Sequence, residues 1–204
     1  GAGSFRRAES ALPDSMFANG GAVAPADFDA DGDIDLFVGS RVVARQYGAI
    51  PTSYLLENDG SGRFRDVTAE RAPALAEAGM VTDATWLEAT GDGALDLITV
   101  GTWMPIRVFG QQDGRFEERT VAAGFGETNG WWNAVHAADL DGDGDTDLIA
   151  GNLGLNSMLK ATPEQSVRLY RVDADGDGQR EPILTYINDG ISSLFYGRDL
   201  LAQQ

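Results

Sequence analysis

Residues 27 to 39 read DFDADGDIDLFVG: aspartates at 27, 29, 31, 33 and 35, one glycine at 32, then an apolar run. Five carboxylates in nine residues repel one another, and a cation among them turns that repulsion into attraction. The pattern returns as DLDGDGDTDLIAG from Asp139, as DADGDGQREPIL from Asp173, and in thinner form as EATGDGALDLITVG from Glu88. In chain order the nine-residue windows hold 5, 3, 5 and 4 carboxylates, so 17 of the 32 acidic residues sit in four windows and the charge marks sites, not a generally acidic surface.

Each window has the donor spacing of a calcium loop: side-chain oxygens at positions 1, 3, 5 and 9, a main-chain carbonyl at position 7, and glycine at position 6 for the sharp turn. The first loop offers Asp27, Asp29, Asp31, the carbonyl of Asp33, and Asp35; the third offers Asp139, Asp141, Asp143, the carbonyl of Asp145, and Asp147. The fourth offers Asp173, Asp175, Asp177, the carbonyl of Gln179, and Glu181. The second has Glu88, Thr90, Asp92, the carbonyl of Ala94, and Asp96, with fewer charges and a longer first ligand, and is expected to be weak or empty. Asp-Gly clusters also form plain turns. A turn needs one or two aspartates, so that reading fails for the first and third windows and stands level with metal binding for the second.

The elements that must hold these loops are strands. An EF-hand needs Glu at position 12 and flanking helices, whereas position 12 is Val38, Ala150 and Leu184 in the three better loops. Short β-type runs follow instead, at 35–39, 96–101 and 147–151, and AVAPA at 22–26 and WNAVHAA at 132–138 precede. SYLLENDGSGRFRDVT and IRVFGQQDGRFEERTV then read as hairpins with Asp-Gly turns. Strand, calcium loop, strand, hairpin is a four-stranded blade, and blades repeated around an axis make a β-propeller. The expected fold is all-β, with about three four-stranded propeller-type blades in an incomplete or open β-propeller. The units are 1–18, the last strand of a preceding blade; 19–71; 80–123; 130–186, including the fourth calcium loop; and 187–204, a tail or the start of another blade. Three blades fall short of the four to eight that close a ring. The chain is therefore expected to be a piece of a longer protein, or an open array whose edges need covering.

The run DFDADGDIDLFVG with LLENDGSGRF resembles the FG-GAP or VCBS repeat, the calcium-loop blade also found in integrin α-subunit propellers. GWWNAVHAADLDGDGDTDLIAGNLGLNS, with GMVTDATW and VGTWMPI, is similar more narrowly to bacterial secreted proteins of the ASPIC/UnbV and cartilage acidic protein group. The resemblance runs from about Phe5 to Leu201. It implies an extracellular, calcium-stabilised propeller used in adhesion or ligand binding, with no catalytic residues to carry over. Glu88 and Thr90 depart from the repeat's usual Asp or Asn, and no literal Phe-Gly and Gly-Ala-Pro pair is present.

Composition sets the remaining bounds. At 204 residues the chain can bury roughly 70% of its unfolded surface. Cysteine is absent, which removes disulfides and thiolate metal sites. A formal charge of −17 opposes nucleic acid and anionic membranes as partners, and three divalent ions would bring it to −11. No apolar stretch reaches a membrane span, and GAGSFRRAES lacks the apolar region of a signal peptide, so an exported protein would be represented by a mature form or a fragment. The one histidine, His136, lies in an alternating strand without a nucleophile or orienting partner in any recognisable motif, and the acidic pairs are accounted for by coordination; no enzyme is expected. Trp86, Trp103, Trp131 and Trp132 are expected mainly in core or inter-blade packing, with a sugar- or protein-binding platform as the competing reading. GNLGLNS at 151–157 lacks the spacing and lysine of a phosphate loop. The expected function is a calcium-binding, secreted, bacterial module that engages a protein or glycan. The alternative is a structural subunit that joins copies of itself head-to-tail into an extracellular filament through open blade edges.

Overall fold

The computed structural model describes residue 4 and residues 7–157, 159–188 and 190–195. The fold is all-β, built from antiparallel sheets of which none closes into a barrel, an open propeller-like arrangement. The first sheet is a meander of β1 (Gly20–Ala26), β2 (Asp35–Ser40), β3 (Tyr54–Asn58) and β4 (Phe64–Asp66). Alternation in β1 buries Ala22 and Ala24 and leaves Val23 exposed, as a half-buried strand demands. A short helix, α1 (Thr68–Arg71), and a 3-10 turn (Pro73–Glu77) lead to the second meander, β5 (Met80–Leu87), β6 (Asp96–Met104), β7 (Arg107–Gln112) and β8 (Arg115–Glu118). The β7–β8 turn holds Asp113 and Gly114 at φ of 51° and 73°, the two positive values of a type I′ hairpin turn.

The two meanders pack face to face. A Cβ on Gly21 would collide with the carbonyl oxygen of Val81, so glycine lets β1 approach β5. Ala24, Phe37, Leu55, Leu97, Phe109 and Phe116 share one apolar cluster; Ile98, Val100, Val108 and Val135 form a second, joined by Leu148 and Ala150. Successive residues of β6 and β7 therefore serve opposite faces: Leu97 and Phe109 look toward the first sheet, Ile98 and Val108 away from it. Each such fully buried side chain contributes about 1.5–3 kcal/mol. The second sheet thus buries apolar side chains on both faces, and β6 is buried along nearly its whole length, Thr99 and Thr102 included.

The strands of residues 130–186 are shared between two sheets. β9 (Gly130–Ala138) pairs with the end of β6, Thr102 opposite Trp131, and carries β10 (Asp147–Asn152), so this pair extends the second sheet to six strands. β11 (Val167–Val172) and β12 (Glu181–Asn188) pair instead with β13 (Ile191–Leu194), in the segment expected as a tail. Between β10 and β11 the described residues form turns and bends at 154–157 and 163–165 and no strand, with Gly154, Asn156 and Pro163 among them. β11 lies against the Gln46–Ile50 region, where Arg171 Nη2 donates to Gln46 Oε1 at 3.2 Å. At the other end, the described residues before Gly20 contain turns and no strand; a turn at Glu9–Ser10, with Ser10 at φ 60°, and Pro13 interrupt the extended run expected in 1–18. The carbonyl of Ala11 still accepts the N–H of Phe64 at 2.8 Å, beside β4. Residues 1–3, 5, 6, 189 and 196–204 of the expected end segments lie outside the described residues.

Candidate metal centres

All four acidic loops join adjacent antiparallel strands in one register. The residue before position 1 pairs with position 9 in each: Ala26 with Asp35, Leu87 with Asp96, Ala138 with Asp147, Val172 with Glu181. The carboxylate at position 9 reaches back to accept the N–H of position 2, from Phe28 (3.3 Å), Ala89 (2.8 Å), Leu140 (2.9 Å) and Ala174 (2.8 Å). Position 1 accepts two N–H groups from inside its own turn. For Asp27 these are Asp31 and Gly32, for Asp139 Gly142 and Gly144, and for Asp173 Gly176 and Gly178. Glycine at position 6 has φ of 96°, 83°, 97° and 88° in loop order, a region that side chains with a Cβ disfavour.

This geometry gathers oxygens in three loops. One carboxylate oxygen from each of Asp27, Asp29 and Asp35 lies within 4.8 Å of the others, and the same holds for Asp139, Asp141 and Asp147, and for Asp173, Asp175 and Glu181. These are positions 1, 3 and 9. Position 5 stands outside the groups: Asp31, Asp143 and Asp177 each accept the N–H of position 7, from Asp33 (2.9 Å), Asp145 (2.9 Å) and Gln179 (2.7 Å). The side chain of Gln179 also donates to Asp177, at 3.0 Å.

The second loop forms no such group among the described residues. Glu88 folds its Oε1 onto the N–H groups of Gly91 and Asp92, Asp92 accepts from Ala94, and Thr90 brings no charge. Asp96 is fully buried with both oxygens occupied by main-chain donors, Ala89 and Gln111. It staples the loop to β7.

Asp35 does the same in the first loop, accepting from Phe28 and from Asn58 (2.8 Å). Burial pushes its carboxyl up to about 6; the two main-chain donors oppose that shift, and the charges of Asp29 and Asp31 add to it. A cation in the loop would offset these neighbouring charges. Two further residues act here that the repeat pattern did not single out. Arg71, from α1, donates to Asp29 Oδ2 at 3.0 Å and pairs with Glu57 at 2.6 Å, its guanidinium 5.6 Å from the centre of the Phe28 ring. Asp29 Oδ1 is left buried without a hydrogen-bond partner. That orphaned oxygen, in a donor set made only of hard oxygens, fits a divalent cation of the calcium type better than zinc, which favours nitrogen and sulfur. Arg71 is 42 residues from Asp29 in the chain, beyond any spacing argument; the basic residue closing the acidic hairpin unit was its sole trace in the sequence.

The tryptophans divide into two pairs. Trp86 stacks on Phe28, meets Phe116 edge-on and donates to the carbonyl of Ala24 at 3.0 Å, bridging the first two sheets. Trp132 packs on the second cluster and donates to Thr128. Trp103 and Trp131 instead line an open cleft beside β11, their rings 5.4 Å apart and tilted by 45°. Trp103 has φ of 64°, a conformation that costs a bulky residue about 1–3 kcal/mol, and its indole N–H is held by the Tyr47 hydroxyl at 2.9 Å. His136 is exposed on β9.

Residues 89–150 match the family described as the FG-GAP-like repeat. The match runs from the second acidic loop through the third and into β10. No curated protein matches the chain.

Proposed function

We propose that this FG-GAP-like repeat protein is a calcium-stabilised extracellular module for adhesion or ligand binding, in which the ion serves the fold. The observation that carries the reading is the gathering of three carboxylate oxygens at positions 1, 3 and 9 in each of three loops. Without a counter-charge those groups repel where two strands must pair; with calcium they are held at the mouth of each hairpin. Binding free energy then becomes folding free energy, about 2.7 kcal/mol per site at a hundred times Kd. Oxygen-only loops of this kind suit the millimolar calcium outside cells, and no helix among the described residues is long and apolar enough to cross a membrane. We assign no catalytic role: His136 is exposed and its side chain makes no hydrogen bond among the described residues, and the carboxylates are taken up by the loops.

Thermal unfolding and sedimentation of one preparation, in EDTA and in a few millimolar calcium, test this. A large calcium-induced rise in Tm with a monomeric boundary supports the module; an unchanged Tm would reduce the loops to turns. The second reading, a subunit that polymerises through its edges, draws on the sheets being unclosed. Calcium-dependent growth of large species in the same sedimentation run would favour it.

A further inference from the structure

We infer that the cleft between the β9–β10 pair and β11 binds an acidic saccharide, a glycan unit bearing a uronate carboxylate, which deepens the reading of the protein as a binding module by naming the ligand and its place. The cleft has a volume of about 740 Å³ and an aromatic wall made by Trp103, Trp131 and Tyr170. That volume lies within the range of small-ligand sites, roughly 300–1,000 Å³.

Charge selects the ligand class. The chain carries 32 acidic residues, yet among the described residues no Asp or Glu lines this cleft, and Arg168 does. Arg168 is exposed and its Nε donates to Ser166 at 3.1 Å, which orients the guanidinium and leaves both terminal nitrogens without a partner among the described residues. A planar fork of this kind matches a carboxylate in two-point contact. The polyanionic surface elsewhere opposes nucleic acid, so the anion that fits is small and singly charged per unit.

Shape and polarity select the rest. The negative π-face of an indole favours the partly positive C–H edge of a pyranose ring. Trp103 is held for that role by three restraints: the Tyr47 hydroxyl, the Trp131 ring, and a backbone conformation kept at φ 64°. Among the described residues the side chain of Asn129 and the indole N–H of Trp131 line the cleft without hydrogen-bond partners, and Asn152 uses its oxygen on Gly154 while its amide N–H groups have no partner. An apolar ligand would bury those donors dry; sugar hydroxyls satisfy them. The turn-rich GNLGLNS segment, which matched no phosphate loop, is the floor of this site.

Intrinsic tryptophan fluorescence of the calcium-loaded protein, titrated with digalacturonic acid and separately with the neutral galactobiose, tests the assignment. The expected result is a saturable change with the acid and affinity for the neutral sugar weaker by about tenfold or more. Arg168→Gln, an exposed substitution, should abolish that preference, and Trp131→Ala should weaken both sugars. Equal affinity of the native protein for both sugars overturns the acid assignment. No saturable signal from protein whose Tm rises with calcium overturns the cleft and leaves the calcium reading standing. A signal lost in Asp139→Asn but kept in Arg168→Gln would place the uronate on a loop-bound ion and also overturn it. Binding that persists in EDTA, in protein whose Tm ignores calcium, would uphold the cleft and sink the calcium reading.

Discussion

The aspartate at position 9 has two duties that pull its protonation in opposite directions. Asp35 staples its own loop and β3 to β2 through two main-chain donors and also gathers with Asp27 and Asp29. Its carboxyl is raised from 3.8 to about 6 by burial, so the metal-free fold holds the proton more tightly than the unfolded chain. The stabilisation this gives is complete below 3.8 and is lost as pH rises through 6. In EDTA, Tm followed from pH 4 to 7 should therefore fall more steeply for the native chain than for Asp35→Asn. In saturating calcium, which needs the carboxylate ionised, the calcium-induced increment should grow over the same range. Superimposable pH profiles for native and variant in EDTA would remove Asp35 as the source.

Arg71 sets up a second opposition. It neutralises Asp29 and Glu57 in a half-buried cluster, and it also places a positive charge beside the gathered carboxylates of the first loop, where it would oppose an added cation. Arg71→Gln is expected to lower stability in EDTA by about 1.5–3 kcal/mol, the range for hydrogen bonds to charged groups. The increment from calcium should become larger, because the ion no longer meets an opposing charge. A smaller increment would mean that Arg71 chiefly positions Asp29 for the ion.

At the scale of elements, the loop and the strand that follows it are one unit. Position 9 is the first residue of the return strand in all four repeats, so the metal pattern and the strand boundary are the same feature of the sequence. That is why β2, β6 and β10 were legible to within a residue or a few, and why the hairpins with Asp-Gly turns were legible too. That the second loop gathers no three-carboxylate group among the described residues follows from Thr90, which brings no charge, and Glu88, which turns back onto its own loop. What was not readable depends on contacts between units: the pairing of Thr102 with Trp131, the reach of Arg71 to Asp29, and the split of Trp103 and Trp131 from Trp86 and Trp132. Apolar alternation reports that a face is buried, never which neighbour buries it. The contrast between loops is testable by substitution. Asp139→Asn should remove the calcium increment of one site, about 2.7 kcal/mol at a hundred times Kd. Glu88→Gln, which keeps an acceptor for Gly91, should stay within about 0.5 kcal/mol of the native chain with or without calcium. Equal losses from the two variants, measured by denaturant unfolding, would contradict the distinction.

Across the whole molecule, stability is unevenly placed. β6 lies inside, with Asp96 through Thr102 buried, β5 on one edge and β7 and β9 on the other. Among the described residues neither apolar cluster takes a side chain from β11–β13, and Tyr170, Val172, Ile191 and Leu194 are exposed. The third sheet therefore has little apolar burial to hold it, while its loop gathers Asp173, Asp175 and Glu181. Elements with few buried contacts open locally, at free energies below that of global unfolding. Calcium that binds the closed loop alone lowers the population of such open states by the factor 1 + [Ca]/Kd, about a hundredfold at a hundred times Kd. Amide hydrogen exchange should accordingly show β11 and β12 exchanging well before β6 in EDTA. Calcium should protect β11 and β12 strongly, and Asp173→Asn should cancel that protection while β6 keeps its own. Exchange at one common rate across β6 and β12 in EDTA would show instead that the sheets open as a single unit, and the third sheet's dependence on its ion would be wrong.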